Sequence, residues 1–200
     1  MDFSTIKVIV FDFDGVIEEN YEHHYQLSKI KTINLTREEH KKLFDGNIHI
    51  ERAKLKDRNT NFDLMLNFNR AKEFLKIENT KRDILIKLSK NYKLGIITSG
   101  YEKYIIKYLK NNNLVDIFNF VYGFETNPSK VSKFNKVINT YKHKPSEIIF
   151  ITDTLGDILE AKKLNINSIA VDYGYHEKSR LEKGKPYKII SSFQELYDLF

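Results

Sequence analysis

Four acidic side chains follow apolar segments of this sequence at points where the chain turns polar. Asp12 and Asp14 close the segment FDFDGV, and Asp153 follows the run IIFIT, with Asp157 one helical turn later. Because ligands bind outside the carboxyl ends of strands in open α/β sheets, acids at strand ends can converge on one point. Converging carboxylates repel one another and need a cation. A site with only oxygen ligands favours Mg²⁺, which retains some of its coordinated waters and can also bind a substrate phosphate.

The same set of positions supplies the groups that phosphoryl transfer needs. A carboxylate is a feasible nucleophile for an aspartyl-phosphate intermediate, and a second carboxylate two residues on can protonate the leaving alkoxide and then activate water. The segment Thr98-Ser99-Gly100 ends another apolar run with a hydroxyl and a flexible turn, and Lys130 follows a further one. A metal, a lysine and hydrogen-bond donors neutralise the transferring phosphoryl oxygens.

Each of these features alone has a simpler interpretation. Asp153 and Asp157 could be a helix N-cap and a solvated helix face, Thr98–Gly100 could be an ordinary turn, and Lys130 could lie on the surface. Their order at the ends of predicted strands makes chance a poor explanation for the whole set. The joint pattern therefore predicts a metal-dependent phosphoryl-transfer site.

Short runs rich in Ile and Val would position these residues. Each has three to eight residues, and its β-branched content favours strands over buried helical turns. Amphipathic helical patterns lie between most of them, and strand–helix alternation predicts an α/β fold, a Rossmann-like doubly wound parallel sheet. The predicted strands are Ile6–Phe13, Leu94–Thr98, Phe118–Tyr122, Ile148–Thr152, Ser168–Val171 and Lys188–Ile190, and the predicted helices are Tyr101–Lys110, Ser129–Tyr141, Asp153–Leu164 and Ser191–Phe200.

Residues 18–78 interrupt this alternation of strands and helices, because they are rich in polar residues and contain no strand-like run. Their apolar residues fall at helical spacings, and Thr36 with Glu39 has the pattern of an N-cap and capping box. We expect three or four amphipathic helices here. The predicted organisation is a discontinuous core domain, residues 1–17 and 79–200, with a small α-helical cap domain, residues 18–78, inserted after the first strand.

Composition excludes several classes of protein. The chain has 200 residues, of which 41% are hydrophobic and 30% charged, as in globular proteins rather than disordered ones. The absence of cysteine excludes disulfides, thiolate zinc sites and cysteine nucleophiles. With no membrane span and no signal peptide in the sequence, we expect a cytoplasmic protein. The net charge of +6 is spread along the chain, so no nucleic-acid partner is expected.

The motifs resemble those of the haloacid dehalogenase-like hydrolases, in the branch of phosphoglycolate phosphatases and β-phosphoglucomutases. DFDGVI, IITS, the Lys130 region and ITDTLGD are similar to the four family motifs, and the C-terminal loop with Gly174 and Tyr175 resembles the phosphatases. The resemblance implies a Mg²⁺-dependent phosphatase in which Asp12 is the nucleophile, Asp14 the acid/base and Lys130 the neutralising cation.

The resemblance also implies the binding residues. Thr98, with Ser99 and Gly100, would bind the substrate phosphate, and Asp157 would support the site. Mg²⁺ would be held by Asp12, Asp153 and the backbone carbonyl of Asp14. The implied partner is a small phosphorylated metabolite, acted on by a monomer or homodimer.

Three positions leave alternatives open. The third motif reads Asn-Pro-Ser-Lys rather than Lys-Pro-x-Pro, so Lys133 competes with Lys130 for the lysine role. Thr152 stands before Asp153, where many phosphatases have Gly and β-phosphoglucomutases have Glu. His24 matches a histidine near the start of the cap in both subgroups, and could either face the substrate or only pack.

A β-phosphoglucomutase-like phosphotransferase is the alternative function, because it would share every core residue. A dehalogenase is disfavoured because such relatives lack the acid that Asp14 supplies, and a non-enzymatic module because the motif residues are intact. The cap would set specificity. Its candidate residues are His23, His24, Arg37, Lys41, Arg52, Lys54, Arg58 and Arg70.

Overall fold

A computed structural model describes residues 3–31, 34–54 and 62–200 of the chain. It contains a six-stranded parallel sheet with the order β3-β2-β1-β4-β5-β6. The predicted α/β architecture is thus confirmed. The strands are β1 (Val8–Phe11), β2 (Lys93–Ile97), β3 (Phe118–Tyr122), β4 (Ile148–Thr152), β5 (Asn167–Val171) and β6 (Lys188–Ile190).

Helices connect the strands and fill the segment after β1. The described α-helices are α1 (Tyr21–Lys31), α2 (Arg37–Lys42), α3 (Ile48–Ala53), α4 (Phe62–Ala71), α5 (Asn79–Leu88), α6 (Glu102–Asn111), α7 (Lys130–Tyr141), α8 (Leu155–Lys162), α9 (Lys178–Leu181) and α10 (Gln194–Leu199). No helix in these ranges combines the length and apolar character that a membrane span requires.

The sheet is covered on both faces, as its alternating apolar residues require. Ile9 and Phe11 belong to one apolar cluster, which also contains buried residues of α5, α6 and α10. Val8 and Val10 point the opposite way and pack with residues of α7 and α8. This double burial fixes β1 at the centre of the sheet, between β2 and β4.

Several helix boundaries differ from the prediction. Helix α8 begins at Leu155 rather than at Asp153. Thr154 is its N-cap residue, and Asp153 lies outside the helix. The interpretation of Asp153 as an N-cap is therefore wrong. Helix α5 was not predicted from its polar sequence, and the predicted capping box of Thr36 and Glu39 is confirmed at the start of α2.

Strand β1 is shorter than predicted, and its end forms a tight loop. The chain leaves the sheet at Asp12, and Gly15 has a φ of +80°, with its N–H bonded to the Glu18 carbonyl at 2.7 Å. A Cβ at this glycine would lie 1.8 Å from Oδ2 of Asp153. Glycine is needed here both for its backbone conformation and for the close approach of the β1 and β4 ends.

Candidate active site

Asp12 and Lys130 form a buried ion pair at the end of the central strand. Oδ2 of Asp12 accepts a hydrogen bond from Lys130 Nζ at 2.6 Å, while Oδ1 accepts one from the N–H of Phe13 at 2.7 Å. Lys130 also donates to Oδ2 of Asp157 at 2.6 Å. Burial opposes the charge on Lys130, but the two carboxylates outweigh burial and raise its pKa. The lysine is therefore a fixed cation beside Asp12.

Lys133, the rival lysine, lies one turn further along α7 and makes a different contact. Its Nζ donates to the backbone carbonyl of Thr98 at 2.5 Å. Burial, together with the charge of Lys130, lowers the pKa of Lys133 to about 8. The structure thus brings Lys130 into contact with Asp12, and Lys133 into contact with the chain after β2.

Three acidic side chains cluster beside this ion pair. Carboxylate oxygens of Asp12, Asp153 and Asp157 all lie within 4.8 Å of one another. Oδ2 of Asp153 accepts a hydrogen bond from the N–H of Tyr175 at 2.8 Å, whereas its buried Oδ1 has no hydrogen-bond partner among the described residues. Burial raises the pKa of Asp153 to about 8, although the Tyr175 amide opposes this. Such an orphaned oxygen in an all-oxygen donor set fits a hard divalent cation.

The Asp157 carboxylate accepts more hydrogen bonds from the protein than the Asp153 carboxylate does. Its Oδ2 accepts from Lys130 and from the hydroxyl of Thr152, the latter at 2.9 Å. Burial alone would favour its neutral form, but Lys130 and these hydrogen bonds lower the pKa of Asp157. The residue therefore anchors Lys130 as an ionised carboxylate, consistent with the supporting position that the sequence indicates.

Thr98, Ser99 and Gly100 follow the end of β2 and line the same cavity as these acids. Thr98 is completely buried, and its Oγ1 accepts a hydrogen bond from the N–H of Gly100 at 3.0 Å. Because the hydroxyl accepts here, its own hydrogen can be donated elsewhere. All three residues line the cavity that contains Asp12.

Asp14 contacts a residue that sequence reasoning missed. Its Oδ1 accepts from the side-chain amide of Asn20 at 2.6 Å, and its Oδ2 accepts from Lys72 Nζ at 2.6 Å. Lys72 belongs to the 3₁₀ turn Lys72–Phe74 that follows α4, and only 1% of it is exposed. No motif or spacing marks Lys72 in the sequence, since its partner lies 58 residues away.

His24 packs against neighbouring rings and also lines the cavity. Its ring lies against those of His40, Phe44 and Tyr175, with centroids 5.0, 5.7 and 5.8 Å away. Burial, aided by the positive charge of Arg52, lowers the pKa of His24 well below its usual value. The ring is therefore neutral, and its Nε2 lies 3.0 Å from Nη2 of Arg52.

The strand ends and the helices after β1 together enclose a cavity of about 70 Å³. Besides the residues above, the cavity is lined by Phe44, Gly46, Ile48, His49, Phe68, Asn69 and Thr154. Of the eight candidate specificity residues, His24 and Arg52 reach it. Arg37, Lys41 and Lys54 pair with glutamates elsewhere, His23 and Arg70 are exposed, and Arg58 lies outside the described residues.

Comparisons with known sequences agree with this arrangement of motifs. The family model described as haloacid dehalogenase-like hydrolase matches residues 9–171. The phosphoglycolate phosphatase of Vibrio vulnificus is 24% identical over 111 residues, which are 54% of this chain and 49% of that protein. The chain thus spans about half the length of the curated relatives it matches.

Solved structures show the same fold over nearly the whole chain. A protein from Clostridium acetobutylicum described as a predicted phosphatase has a TM-score of 0.79 and 20% identity, with 97% of each chain covered. CbbY from Rhodobacter sphaeroides, solved in complex with phosphate, has a TM-score of 0.74 and 16% identity, with 96% of each chain covered. With the family model spanning β1 to β5, and the motif residues gathered at the ends of β1, β2 and β4, this chain belongs to the haloacid dehalogenase-like hydrolase family.

Proposed function

We propose that this protein is a phosphatase that hydrolyses the phosphate monoester of a small metabolite through an aspartyl-phosphate intermediate. The observation that carries this proposal is the position of Asp12. Its carboxylate lies at the end of the central strand, lines the cavity and is held by Lys130, whose charge is fixed by Asp157. A positioned carboxylate beside a buried cation is suited to attack an electron-poor phosphorus.

In the first step, an oxygen of Asp12 forms a bond to phosphorus and the ester P–O bond breaks. Asp14, two residues on, donates a proton to the leaving alkoxide. In the second step, Asp14 removes a proton from water, whose oxygen attacks phosphorus. The bond to Asp12 then breaks and inorganic phosphate is released. Lys130 and the hydroxyl of Thr98 would stabilise the phosphoryl oxygens, and Ser99 and Gly100 would shape their binding site.

We propose Mg²⁺ as the cofactor, held by Asp12, Asp153 and the backbone carbonyl of Asp14. The orphaned Oδ1 of Asp153 and the close acidic cluster support this assignment. When bound, Mg²⁺ would neutralise charge on the phosphoryl group and on the acids. The N–H of Tyr175 would keep the Asp153 carboxylate in place from the opposite oxygen.

We further propose that residues 18–78 act as a cap domain over a core formed by residues 1–17 and 79–200. Lining residues such as His24 and Lys72 come from the first segment, while the four acids come from the second. A cytoplasmic location remains the expectation from sequence.

The test of this proposal is turnover of 4-nitrophenyl phosphate with and without Mg²⁺. We expect activity with Mg²⁺, its loss in excess chelator, and its loss in the Asp12→Asn variant, because an amide is a poor nucleophile and a weaker metal ligand. Asp83→Asn makes the same change at an exposed site on α5 and is the matched control. Substantial turnover by Asp12→Asn would remove Asp12 from the nucleophile role.

A second assay separates hydrolysis from phosphotransfer. The protein is incubated with glucose 1-phosphate and a bisphosphate primer, and free phosphate is measured against isomerised sugar phosphate. We expect free phosphate, because Thr152 stands where β-phosphoglucomutases have Glu and its hydroxyl is already bonded to Asp157. Rapid isomerisation with little free phosphate would overturn the phosphatase proposal.

A further inference from the structure

The turn formed by Thr98, Ser99 and Gly100, called the 98–100 turn below, is held in place from two sides of the core. On one side, the N–H of Thr98 donates to the Tyr122 carbonyl at 3.0 Å, and the Gly100 carbonyl accepts from the N–H of Phe124 at 2.8 Å. These two contacts join the turn to β3 and to the residues that follow it. On the other side, the carbonyl of Thr98 is bound by a side chain of α7.

That side chain is Lys133, which contacts the turn from the interior of the protein. Its Nζ donates to the Thr98 carbonyl oxygen at 2.5 Å, and the residue is completely buried. No carboxylate in the described part of the chain pairs with it, whereas Lys130, one turn earlier on α7, pairs with Asp12 and Asp157. A buried ammonium group without a carboxylate partner costs stability, so packing alone does not explain a lysine at this position.

Lys133 keeps its proton at neutral pH in spite of its burial. Burial and the charge of Lys130 lower the pKa of Lys133 to about 8, but Asp12, Asp157 and Glu160 oppose this decrease. A group with such a pKa is mostly charged at pH 7. Lys133 does not line the cavity, so it supplies a second buried positive charge near Asp12 from behind the 98–100 turn.

The contact at the Thr98 carbonyl acts on a hydrogen-bond donor of the turn. This carbonyl and the N–H of Ser99 belong to one peptide group, which is trans, because the described backbone contains no cis peptide bond. In a planar trans peptide the C=O and N–H bonds point in opposite directions, so fixing the carbonyl also fixes the N–H on the far side. A hydrogen bond to the carbonyl also polarises the peptide and strengthens its N–H as a donor.

We propose that Lys133 is a positioning residue for the substrate phosphate, because it fixes and polarises the peptide group between Thr98 and Ser99. The two buried lysines of α7 then have different tasks, since Lys130 holds the nucleophile and Lys133 holds the turn that binds the phosphate. This inference rests on the proposed function, because it assumes that the phosphate group lies between Asp12 and the 98–100 turn.

The test is the inhibition of 4-nitrophenyl phosphate hydrolysis by inorganic phosphate at pH 7 with Mg²⁺. In Lys133→Met, the inhibition constant of phosphate and KM should each rise at least fivefold, while kcat changes less than threefold. This split is expected because the turn contacts the phosphate in the ground state and in the transition state alike. Lys136→Met makes the same change at an exposed position of α7 and should leave all three constants unchanged.

Thermal unfolding separates positioning from a purely structural role. Since Lys133→Met removes a buried charge that has no carboxylate partner, its unfolding temperature should not fall. A lower unfolding temperature together with a loss of kcat as large as the change in KM would show general disruption of the site and overturn the inference. Lys133→Gln keeps a donor for the Thr98 carbonyl without the charge and should show an intermediate loss. It provides the comparison if Lys133→Met does not fold.

Calorimetric titration with inorganic phosphate provides a readout independent of turnover. The wild type and Lys136→Met should bind phosphate with the same Kd, and Lys133→Met at least fivefold more weakly. Unchanged constants in folded Lys133→Met, or equal changes in Lys136→Met, would overturn the inference and leave the proposed function standing. Absence of hydrolysis by the wild type with Mg²⁺ would instead contradict the proposed function, and the titration would still measure what Lys133 contributes to phosphate binding.

Discussion

The ε-ammonium of Lys72 lies 2.6 Å from Oδ2 of Asp14, and this ion pair joins the turn after α4 to the loop that follows β1. The lysine side chain is almost completely buried, and its nitrogen lies 4.8 Å from the centre of the Phe68 ring. A charge in such surroundings is held in one geometry by its partner. The proposed acid/base of the site is therefore positioned by a residue of the inserted helical segment.

Replacing Lys72 by Met should slow turnover of alkyl phosphates about ten- to a hundredfold, because Asp14 loses the contact that orients it for proton transfer. Turnover of 4-nitrophenyl phosphate should fall less, since its leaving group needs little protonation. Lys54→Met, which removes a mostly exposed partner of Glu51, is the control and should leave both rates unchanged. Equal losses on the two substrates would contradict a positioning role for Lys72.

Removing the Asp153 carboxylate should abolish stabilisation by Mg²⁺. A ligand that binds only the folded state raises the unfolding temperature, and the increase grows with the ratio of its concentration to Kd. We expect millimolar Mg²⁺ to raise the unfolding temperature of the wild type and of Asp83→Asn, but not that of Asp153→Asn. Differential scanning fluorimetry with and without chelator measures this directly. An equal shift in all three proteins would place the metal elsewhere.

Arg180 links α9 to α2 and the residues that follow it through several acidic partners. It contacts Glu38, and its Nη1 lies 3.3 Å from Asp45. Arg180→Gln should lower the free energy of unfolding at low salt, because the ion pairs are lost. The loss should be only about 1 kcal/mol, because water can hydrate the carboxylates left behind. The loss should shrink in 0.5 M salt, where the ion pairs are screened. Urea unfolding at the two salt concentrations measures this loss of stability, with Arg82→Gln as the control. A loss that is the same at both concentrations would indicate a packing effect instead.

His40 should make the protein less stable in acid. The ring is fully buried against Tyr21 and Phe44, and burial, aided by Arg52, lowers its pKa to about 4 from an unfolded value of 6.5. Between these values the unfolded chain binds more protons than the folded one. Protonation of His40 therefore leaves the free energy of unfolding unchanged above pH 6.5. As the pH falls toward 4, the free energy of unfolding decreases by roughly 3 kcal/mol in all.

The measurement is urea unfolding at pH 7 and at pH 4.5. His40→Gln should narrow the difference in stability between the two pH values, whatever its effect at pH 7. His23→Gln, at an exposed position that water hydrates in both states, should preserve the wild-type difference. A difference in His40→Gln equal to that of the wild type would show that another group produces the acid sensitivity.

The core strands and their polar ends could be predicted because the information is local. Apolar runs such as IIFIT identify strands by composition alone, and those of β1, β2 and β4 are followed directly by Asp12, Thr98 and Asp153. Since parallel strands end at one edge of the sheet, the convergence of Asp12, Thr98 and Asp153 followed from connectivity alone. The choice between Lys130 and Lys133 could not be made from connectivity, because residues three apart share a helix face. Only the distance from each ammonium group to Asp12 distinguishes the two lysines.

The contacts from residues 18–78 were decided by tertiary structure. Lys72 meets Asp14 across 58 positions, and Arg52 meets His24 across 28. A lysine or arginine in an amphipathic helix has the same local pattern whether it faces water or a cavity. Which of these cations is enclosed depends on how the helices pack over the strand ends, and periodicity carries no information about that packing. The sequence by itself determined which polar side chains stand at the strand ends, and the packing of the helices determined which cations face them.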